Sequence, residues 1–499
     1  MGLKILEFDT IENKYIFDGQ TGTVLAVDDI LLSCIKKFEH KDREQVYNEL
    51  SEEFSDKSKI RAAIAFGEKY KEYGAFYCNS VDEKNKLEGG KKFSSNLTKK
   101  ILDSGYTQQL VLNVTEDCNM RCKYCYLSET YKYTRNRTNT IMSEETAYKA
   151  LDYYFKIMSE ISKFNPGKKC AITFYGGEAL MNFDVIKKSI EYAKKNAPVE
   201  PLFNLTTNGL LFTEEKAEYL VNNDVAITIS LDGNREEHNR NRVGVEGNNT
   251  FDIIMRNIEN FKKSYPNYSK INLAAVYDPM TDFIKNDAFF EEKANNIPYV
   301  GMVSPVVEIN TDYYKKYSES ELEIFRQRYY TMLEKYLKLK IDAEKMSTYL
   351  EILFELQFVN VLLSIGIKDR KLPVLPFTST CIPGMKISVR PDGKFDMCEK
   401  INQTFPIGDL EAGLDIKAIT SIVKNYNEKI GSSCVDCPIN RMCGICYSQV
   451  CGNGIFEKPN CQAILDSFKF NLSIIYTVLE KNPHAFDAYF YRDEWILNS

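Results

Sequence analysis

Cysteine placement constrains this chain more than any other feature. Of fourteen cysteines, three stand at 118, 122 and 125, eight crowd between 381 and 461, and only Cys34, Cys78 and Cys170 lie apart. Thiols grouped like this require a fold that gathers loops around them, and the first group directly follows a short apolar run of the kind that forms a strand. Met1-Gly2-Leu3-Lys4-Ile5 leads into charged residues rather than a secretion signal, so the expectation is a reducing cytoplasm with free thiols for metal or catalysis, not a disulfide framework. Histidine is scarce: only His40, His238 and His484 are present, too few for a zinc hydrolase or repeated His-based triads. With 64 basic against 70 acidic residues, a net charge of -6 and no long basic block, no nucleic-acid partner is expected. No stretch reaches the roughly 18 apolar residues of a membrane helix, so no membrane association is expected either.

At 499 residues the chain exceeds one ordinary domain. Residues 14–18 and 23–27 alternate about Gly19-Gln20-Thr21-Gly22, a hairpin signal. Helical spacing follows at Ile30, Leu31, Cys34 and Ile35, then over 46–54 and 60–70, which makes Cys34 a buried helix residue. A polar run over 82–100 reads as a linker. From 109 to 306, short apolar runs alternate with longer amphipathic ones, predicting strands at 110–115, 170–175, 202–207, 225–231, 271–277 and 299–306. Six βα units are too few for a closed eight-stranded barrel, so the expected class is α/β, a partial (β/α)6 TIM-like barrel with its chemistry at the carboxyl ends of the strands. Residues 311–370 read as helical, their aromatics as core. The expected division is 1–90, 101–310, 311–371 and 372–499.

Cys118, Cys122 and Cys125 supply three thiols, which leaves one iron of a cubane open to a non-protein ligand. The three-then-two spacing resembles the signature of the radical S-adenosylmethionine (SAM) enzymes. That resemblance implies a SAM-chelating [4Fe-4S] cluster and a 5′-deoxyadenosyl radical, with the cofactor carrying the chemistry. Tyr175-Gly176-Gly177-Glu178 matches the family's GGE motif beside the SAM amino group, and Thr206-Thr207-Asn208-Gly209 also fits. Ser230-Leu231-Asp232-Gly233, with Arg242 twelve residues beyond the serine, resembles its ribose- and carboxylate-binding stretch. Carried over, Tyr124, Gly176, Gly177, Glu178, Ser230, Asp232, Arg242 and Val303 are the expected cofactor-binding residues, while His238 is expected to hydrogen-bond locally. Ala179 departs from the Pro of many relatives.

The C-terminal cysteines, Cys381, Cys398, Cys434, Cys437, Cys443, Cys446, Cys451 and Cys461, suffice for two further cubanes or two zinc ions. Their order resembles the SPASM extension of radical SAM maturases, which implies two auxiliary clusters and three [4Fe-4S] clusters in all. By that resemblance Cys434, Cys437, Cys443 and Cys461 hold the distal cluster, while Cys381 and Cys398 begin the proximal one. The spacing departs at the next position: either Cys446 and Cys451 both complete the proximal cluster, or one does and an iron stays open to a substrate thiol.

Cys398-Glu399-Lys400 and Ile407-Gly408-Asp409-Leu410 resemble the thioether-forming maturases of Cys-rich ribosomal peptides, the ranthipeptide and sactipeptide type. The N-terminal unit resembles their winged-helix-like leader-recognition domain, which captures a strand at its sheet edge. The implied partners are a Cys-rich precursor peptide with a leader and an external one-electron reductant of the flavodoxin or ferredoxin class. Sulfatase-maturing relatives carry Asp where Glu399 stands, and Glu399 is the candidate catalytic acceptor. Formylglycine-forming oxidation, carbon–carbon crosslinking, and a non-enzymatic electron carrier or zinc-stapled binding protein are the alternatives.

Overall fold

A computed structural model describes residues 2–19, 21–72, 75–78, 94–308, 310–365, 378–400, 405–452 and 454–490. The chain begins with an antiparallel sheet of β1 (Ile5–Asp9), β2 (Lys14–Asp18) and β3 (Val24–Val27) in that order. Helices Asp29–Lys37, Arg43–Glu53 and Lys57–Glu72 follow. Each N-terminus is satisfied where the sequence offers a cap, as where Asp42 and Gln45 form a reciprocal capping box. Cys34, Ile35, Val46, Leu50 and Ile60 close a small core of this unit's own. Of the expected linker, 82–93 lies outside the described residues and Ser95–Ile101 is a helix. The boundaries expected at 90 and 371 also lie outside them.

All six expected strands form: β4 (Gln109–Thr115), β5 (Cys170–Gly176), β6 (Pro201–Thr207), β7 (Ala226–Ser230), β8 (Ile271–Tyr277) and β9 (Val300–Pro305). They are parallel neighbours in sequence order. One face carries Leu110, Leu112, Ile172, Phe174, Leu205, Ile227 and Ile229, all buried in the main apolar core with the helices. Period-2 alternation sends the other set inward. That set is polar: Gln109 Nε2 donates to Thr173 Oγ1 at 2.5 Å, and Asn204, Thr206, Thr228 and Asn272 follow in register around the curve.

The C-terminal region extends this sheet rather than standing apart from it. β10 (Lys386–Val389) lies parallel to β4, and Asn113 Nδ2 reaches Ser388 Oγ at 2.8 Å across the pair. Antiparallel β11 (Lys394–Asp396), β12 (Pro406–Asp409) and β13 (Gly413–Leu414) complete ten strands. Two helices, Glu319–Ile341 and Thr348–Ile365, bridge the halves, with Tyr336, Phe354 and Phe358 buried as core. Among the described residues no helix is long and apolar enough to cross a membrane.

Candidate functional site

The loop carrying the first three cysteines starts where β4 ends. It is tied across the barrel mouth to the segment after helix Arg235–Asn241: Arg121 N donates to Val243 O at 2.7 Å and Lys123 N to Asn241 O at 3.0 Å. Cys118, Cys122 and Cys125 face one another within electrostatic reach. Burial pushes the Cys118 thiol up to about 12 and Cys122 to about 11, the latter against the lowering charge of Arg242. Such thiols stay protonated until a metal takes the proton's place. N–H groups converge on the sulfurs: Met120 N lies 3.4 Å and Asn208 Nδ2 3.7 Å from Cys118 Sγ, and Arg242 Nη1 is 4.0 Å from Cys122 Sγ. This donor set fits a thiolate-bound cluster, whose negative charge it would offset. Asn208 was in a recognised motif, but only the fold shows its contact with Cys118.

One buried carboxylate organises the opposite wall. Asp232 accepts from Tyr124 Oη at 2.5 Å, from Arg242 Nε at 2.9 Å and from Val276 N at 3.1 Å. Arg242 also lies over the Tyr124 ring, 5.5 Å from its centroid. The Ser230 hydroxyl, at the end of β7, has no hydrogen-bond partner among the described residues and is available to a ligand. His238 is fully buried, and burial together with Arg242 holds it well below the usual imidazole range. Thr250 Oγ1 donates to Arg242 O at 2.8 Å, so it must accept from His238 Nε2 at 3.1 Å. The imidazole is thus a neutral brace under Arg242, as its local role implied.

Gly176, Gly177, Glu178 and Val303, four of the expected cofactor residues, are packed against the chain itself. An added Cβ on Gly176, at φ 143°, would meet Thr115 O at 2.1 Å, and one on Gly177 would meet Asp117 O at 2.1 Å. The glycines therefore let the β5 exit close onto the β4 exit, a backbone-on-backbone approach. Glu178 is buried, and its carboxylate is used by the chain itself, accepting from Leu180 N at 3.0 Å, Thr207 Oγ1 at 2.6 Å and Asn208 N at 2.7 Å. It braces β5 to β6. Val303 sits in β9 inside the apolar core, because its side of the strand is the one that packs.

On the C-terminal side, Cys434 feels Cys437, Cys443 and Cys461, and burial is the first cause pushing its thiol up to about 12. Cys443 likewise faces Cys437 and Cys461. Cys446 lies within electrostatic reach of Cys381, and at the start of the short helix Tyr447–Val450 its sulfur accepts from Ser448 Oγ at 3.2 Å. Cys451 stands apart: it sits in a two-residue strand paired with Ile455–Phe456, and Glu457 is the charge that reaches it. Glu399 adjoins Cys398 and is within reach of Cys381, Tyr126 and Tyr175, the tyrosines in turn facing Cys125. Its Oε2 is buried with no hydrogen-bond partner among the described residues, while Oε1 is 3.9 Å from Lys386 Nζ. Tyr126 was not singled out in the sequence, and Tyr175 entered only as the first residue of its motif, with no role of its own. Among the described residues no three His, Cys, Asp or Glu groups come close enough to share one ion.

Residues 112–285 match the Radical SAM superfamily. The chain carries a radical SAM domain. It is 25% identical over 283 residues to the radical SAM cyclopropyl synthase TigE of Paramaledivibacter caminithermalis, a match covering 56% of each chain. It is 32% identical over 148 residues to the serine-type anaerobic sulfatase-maturating enzyme of Bacteroides thetaiotaomicron, covering 29% of this chain and 34% of that one. The matched stretch thus spans about half or less of these curated relatives. AdoMet-bound anSMEcpe shares the fold with a TM-score of 0.55 at 18% identity, over 77% of this chain and 100% of that one. The matched residues run from within β4 to beyond β8, five of the six barrel strands, and include the cysteine loop described above.

Proposed function

We propose that the chain is a radical SAM peptide maturase that forms Cys sulfur-to-carbon thioether links in a Cys-rich precursor peptide. The observation that carries this reading is the unequal placement of Cys446 and Cys451. Cys446 lies within electrostatic reach of Cys381 and no cysteine reaches Cys451, so the proximal set reads as Cys381, Cys398 and Cys446, which would leave one iron of a cubane for a thiol from the substrate. When bound, a SAM-bearing cluster on Cys118, Cys122 and Cys125 supplies a carbon-centred radical that takes a hydrogen atom, and auxiliary clusters supply a place for the electron released as sulfur joins carbon.

The chain's own residues bind and orient. Asp232 fixes Tyr124 and Arg242 at the first cluster's edge, and the Ser230 hydroxyl and the Arg242 guanidinium are the groups available to SAM. The polar barrel interior offers hydrogen bonds to an extended peptide backbone. Glu399 Oε2, unpartnered and close to Cys381, takes the proton that the substrate thiol gives up. The N-terminal sheet with its three helices suits a grip on a leader segment by strand addition, and a flavodoxin- or ferredoxin-class protein delivers the first electron.

With reductant and a Cys-rich peptide, the reconstituted enzyme should release 5′-deoxyadenosine and remove two hydrogens from the peptide per link, blocking one thiol to alkylation each time. A Cys→Ser peptide should remain unlinked. Turnover that leaves every peptide thiol free to alkylate would sink the thioether reading. The likeness to sulfatase maturases and the open oxygen of Glu399 favour formylglycine-type oxidation as a second reading, which would give an aldehyde and no crosslink.

A further inference from the structure

The loop that continues from Cys125 is tied to the chain just past β9. Tyr131 Oη donates to Val307 O at 2.9 Å, Thr311 Oγ1 to Thr130 O at 2.8 Å and Lys132 N to Asn310 O at 2.7 Å, and Tyr131 and Thr311 form an isolated antiparallel bridge. Asn310 also reaches a third segment. Its Nδ2 donates to Ser448 O at 3.2 Å and to Cys451 O at 3.1 Å. Both acceptors are carbonyl oxygens, so only the amide nitrogen, with its two N–H groups, can serve them together. Ser448 lies inside the short helix Tyr447–Val450, Cys451 ends that helix, and Cys446 stands at its N-terminal cap. Gln449 closes the turn, its N donating to Cys446 O at 2.9 Å and its Oε1 accepting from Cys446 N at 2.8 Å. One side chain thus grips the stiff piece of backbone that begins at Cys446, while the carbonyl of the same residue grips the loop that begins at the first cysteine group.

Asparagine suits this double task. Asn310 has φ 55°, a left-handed conformation that asparagine tolerates better than most residues with a side chain. On the loop side Tyr133 is left-handed too, at φ 66°, and an added Cβ on Gly452 would lie 3.6 Å from its ring. Such a backbone persists in a tyrosine only where the surroundings hold it, and strain of this kind gathers at functional sites.

We infer that Asn310 is a positioning residue that clasps the Cys446 segment to the first cysteine loop, and so sets where a substrate held at the proximal cysteines sits relative to SAM. The inference rests on the peptide-modifying function proposed above. Misplacement by about 1 Å can cost about 100-fold in rate. A loosened clasp therefore lowers the yield of peptide product for each 5′-deoxyadenosine released, without stopping that release.

The test compares the reconstituted wild type with Asn310→Gly, which keeps the left-handed backbone and the bond from Lys132 but removes the amide. Hydrogen exchange read by mass spectrometry should rise at 128–132 and 447–452 together and stay unchanged in the N-terminal unit, with iron at the wild-type level. Peptide product per 5′-deoxyadenosine should fall roughly 10- to 100-fold. Asn310→Asp, which keeps the size but turns a carboxylate toward two carbonyl oxygens, should fall as far. Unchanged exchange at either segment, or an unchanged ratio, would overturn the inference, the second because a merely structural contact lowers product and 5′-deoxyadenosine alike. If Asn310→Gly loses iron, Asn310→Asp decides by the same two readouts. Loss of iron in both would assign the contact to retaining the cysteines rather than aligning them, and overturn it. The wild type tests the underlying function separately: an aldehyde in place of a link would refute thioether chemistry and leave the ratio as the measure of Asn310, whereas no peptide product at all would refute the peptide reading and the inference with it.

Discussion

Arg242 holds Asp232 and Cys122 at the same time, its Nε 2.9 Å from one Asp232 oxygen and its Nη1 4.0 Å from the cysteine sulfur. A planar fork does this because its N–H groups point in fixed, divergent directions, whereas a lysine ammonium is a single point. The Arg242→Lys variant should therefore keep its charge and its fold but lose one of the two contacts. A charge-assisted hydrogen bond of about 1.5–3 kcal/mol corresponds to roughly 10- to 100-fold weaker SAM binding. Titration of SAM into reconstituted enzyme measures this, and unchanged affinity would remove Arg242 from the cofactor site.

Glu178 is expected to matter for structure before chemistry. Its carboxylate accepts three hydrogen bonds within a buried turn, two from backbone N–H groups and one from Thr207. Glu178→Ala leaves those donors unpaired, at about 1–3 kcal/mol each when nothing replaces the acceptor. Asn208, released from its backbone bond to Glu178, should also lose its hold on Cys118. The expected result is a lower melting temperature together with faster loss of iron from the first cluster. A variant that melts like the wild type but binds SAM poorly would return Glu178 to a direct contact with the cofactor.

Where chemistry is carried by alternation, the sequence was readable. Leu110, Leu112 and Val114 set the helix-packed face of β4, and β5, β6 and β7 alternate in the same way. β10 escaped notice because Lys386-Ile387-Ser388-Val389 is only four residues long, and its partner β4 is more than 270 positions away. The motif residues were found, but not what each one faces. Gly176, Gly177 and Glu178 stood in a recognised motif, but that the two glycines let β5 close onto β4 is legible only in the fold. Tyr126 and Tyr175 carry no spacing signal, since what joins them is the convergence of two strand ends.

Asp278, just past β8, should set part of the acid stability. Burial alone would raise its carboxyl, but the Arg240 charge and hydrogen bonds from Arg240, Asn241 and Tyr313 outweigh it and hold it at about 2. A depressed carboxylate stabilises the fold above its unfolded value of about 3.9, and that stability is lost as pH falls through the folded value. The difference amounts to about 2–3 kcal/mol. Urea unfolding of the wild type should therefore weaken between about pH 4 and pH 2, and Asp278→Asn should be weaker at pH 7 with this part of the acid dependence missing. Equal acid profiles for the two proteins would assign the loss to other groups.

Cys446 and Cys451 give the sharpest test of the proposed chemistry, because the chain offers both at plausible spacing and the fold treats them oppositely. Cys446 opens a short helix and lies within reach of Cys381. Cys451 is buried in a strand pair beside Phe456, and no other cysteine acts on it. Three clusters would hold about twelve irons. Cys451→Ala should retain all of them and its activity, and Cys446→Ala should lose about four and cease to link peptide. With Cys451 uninvolved, a substrate thiol that coordinates iron would be deprotonated by it and brought next to an electron acceptor. Adding a Cys-containing peptide to Cys451→Ala should then perturb the auxiliary-cluster spectrum, while the Cys→Ser peptide should not. Loss of a whole cluster in both variants, with no response to either peptide, would mean that Cys451 is a ligand after all. Sulfur would then couple to carbon without touching iron, leaving the auxiliary clusters only as electron acceptors at a distance.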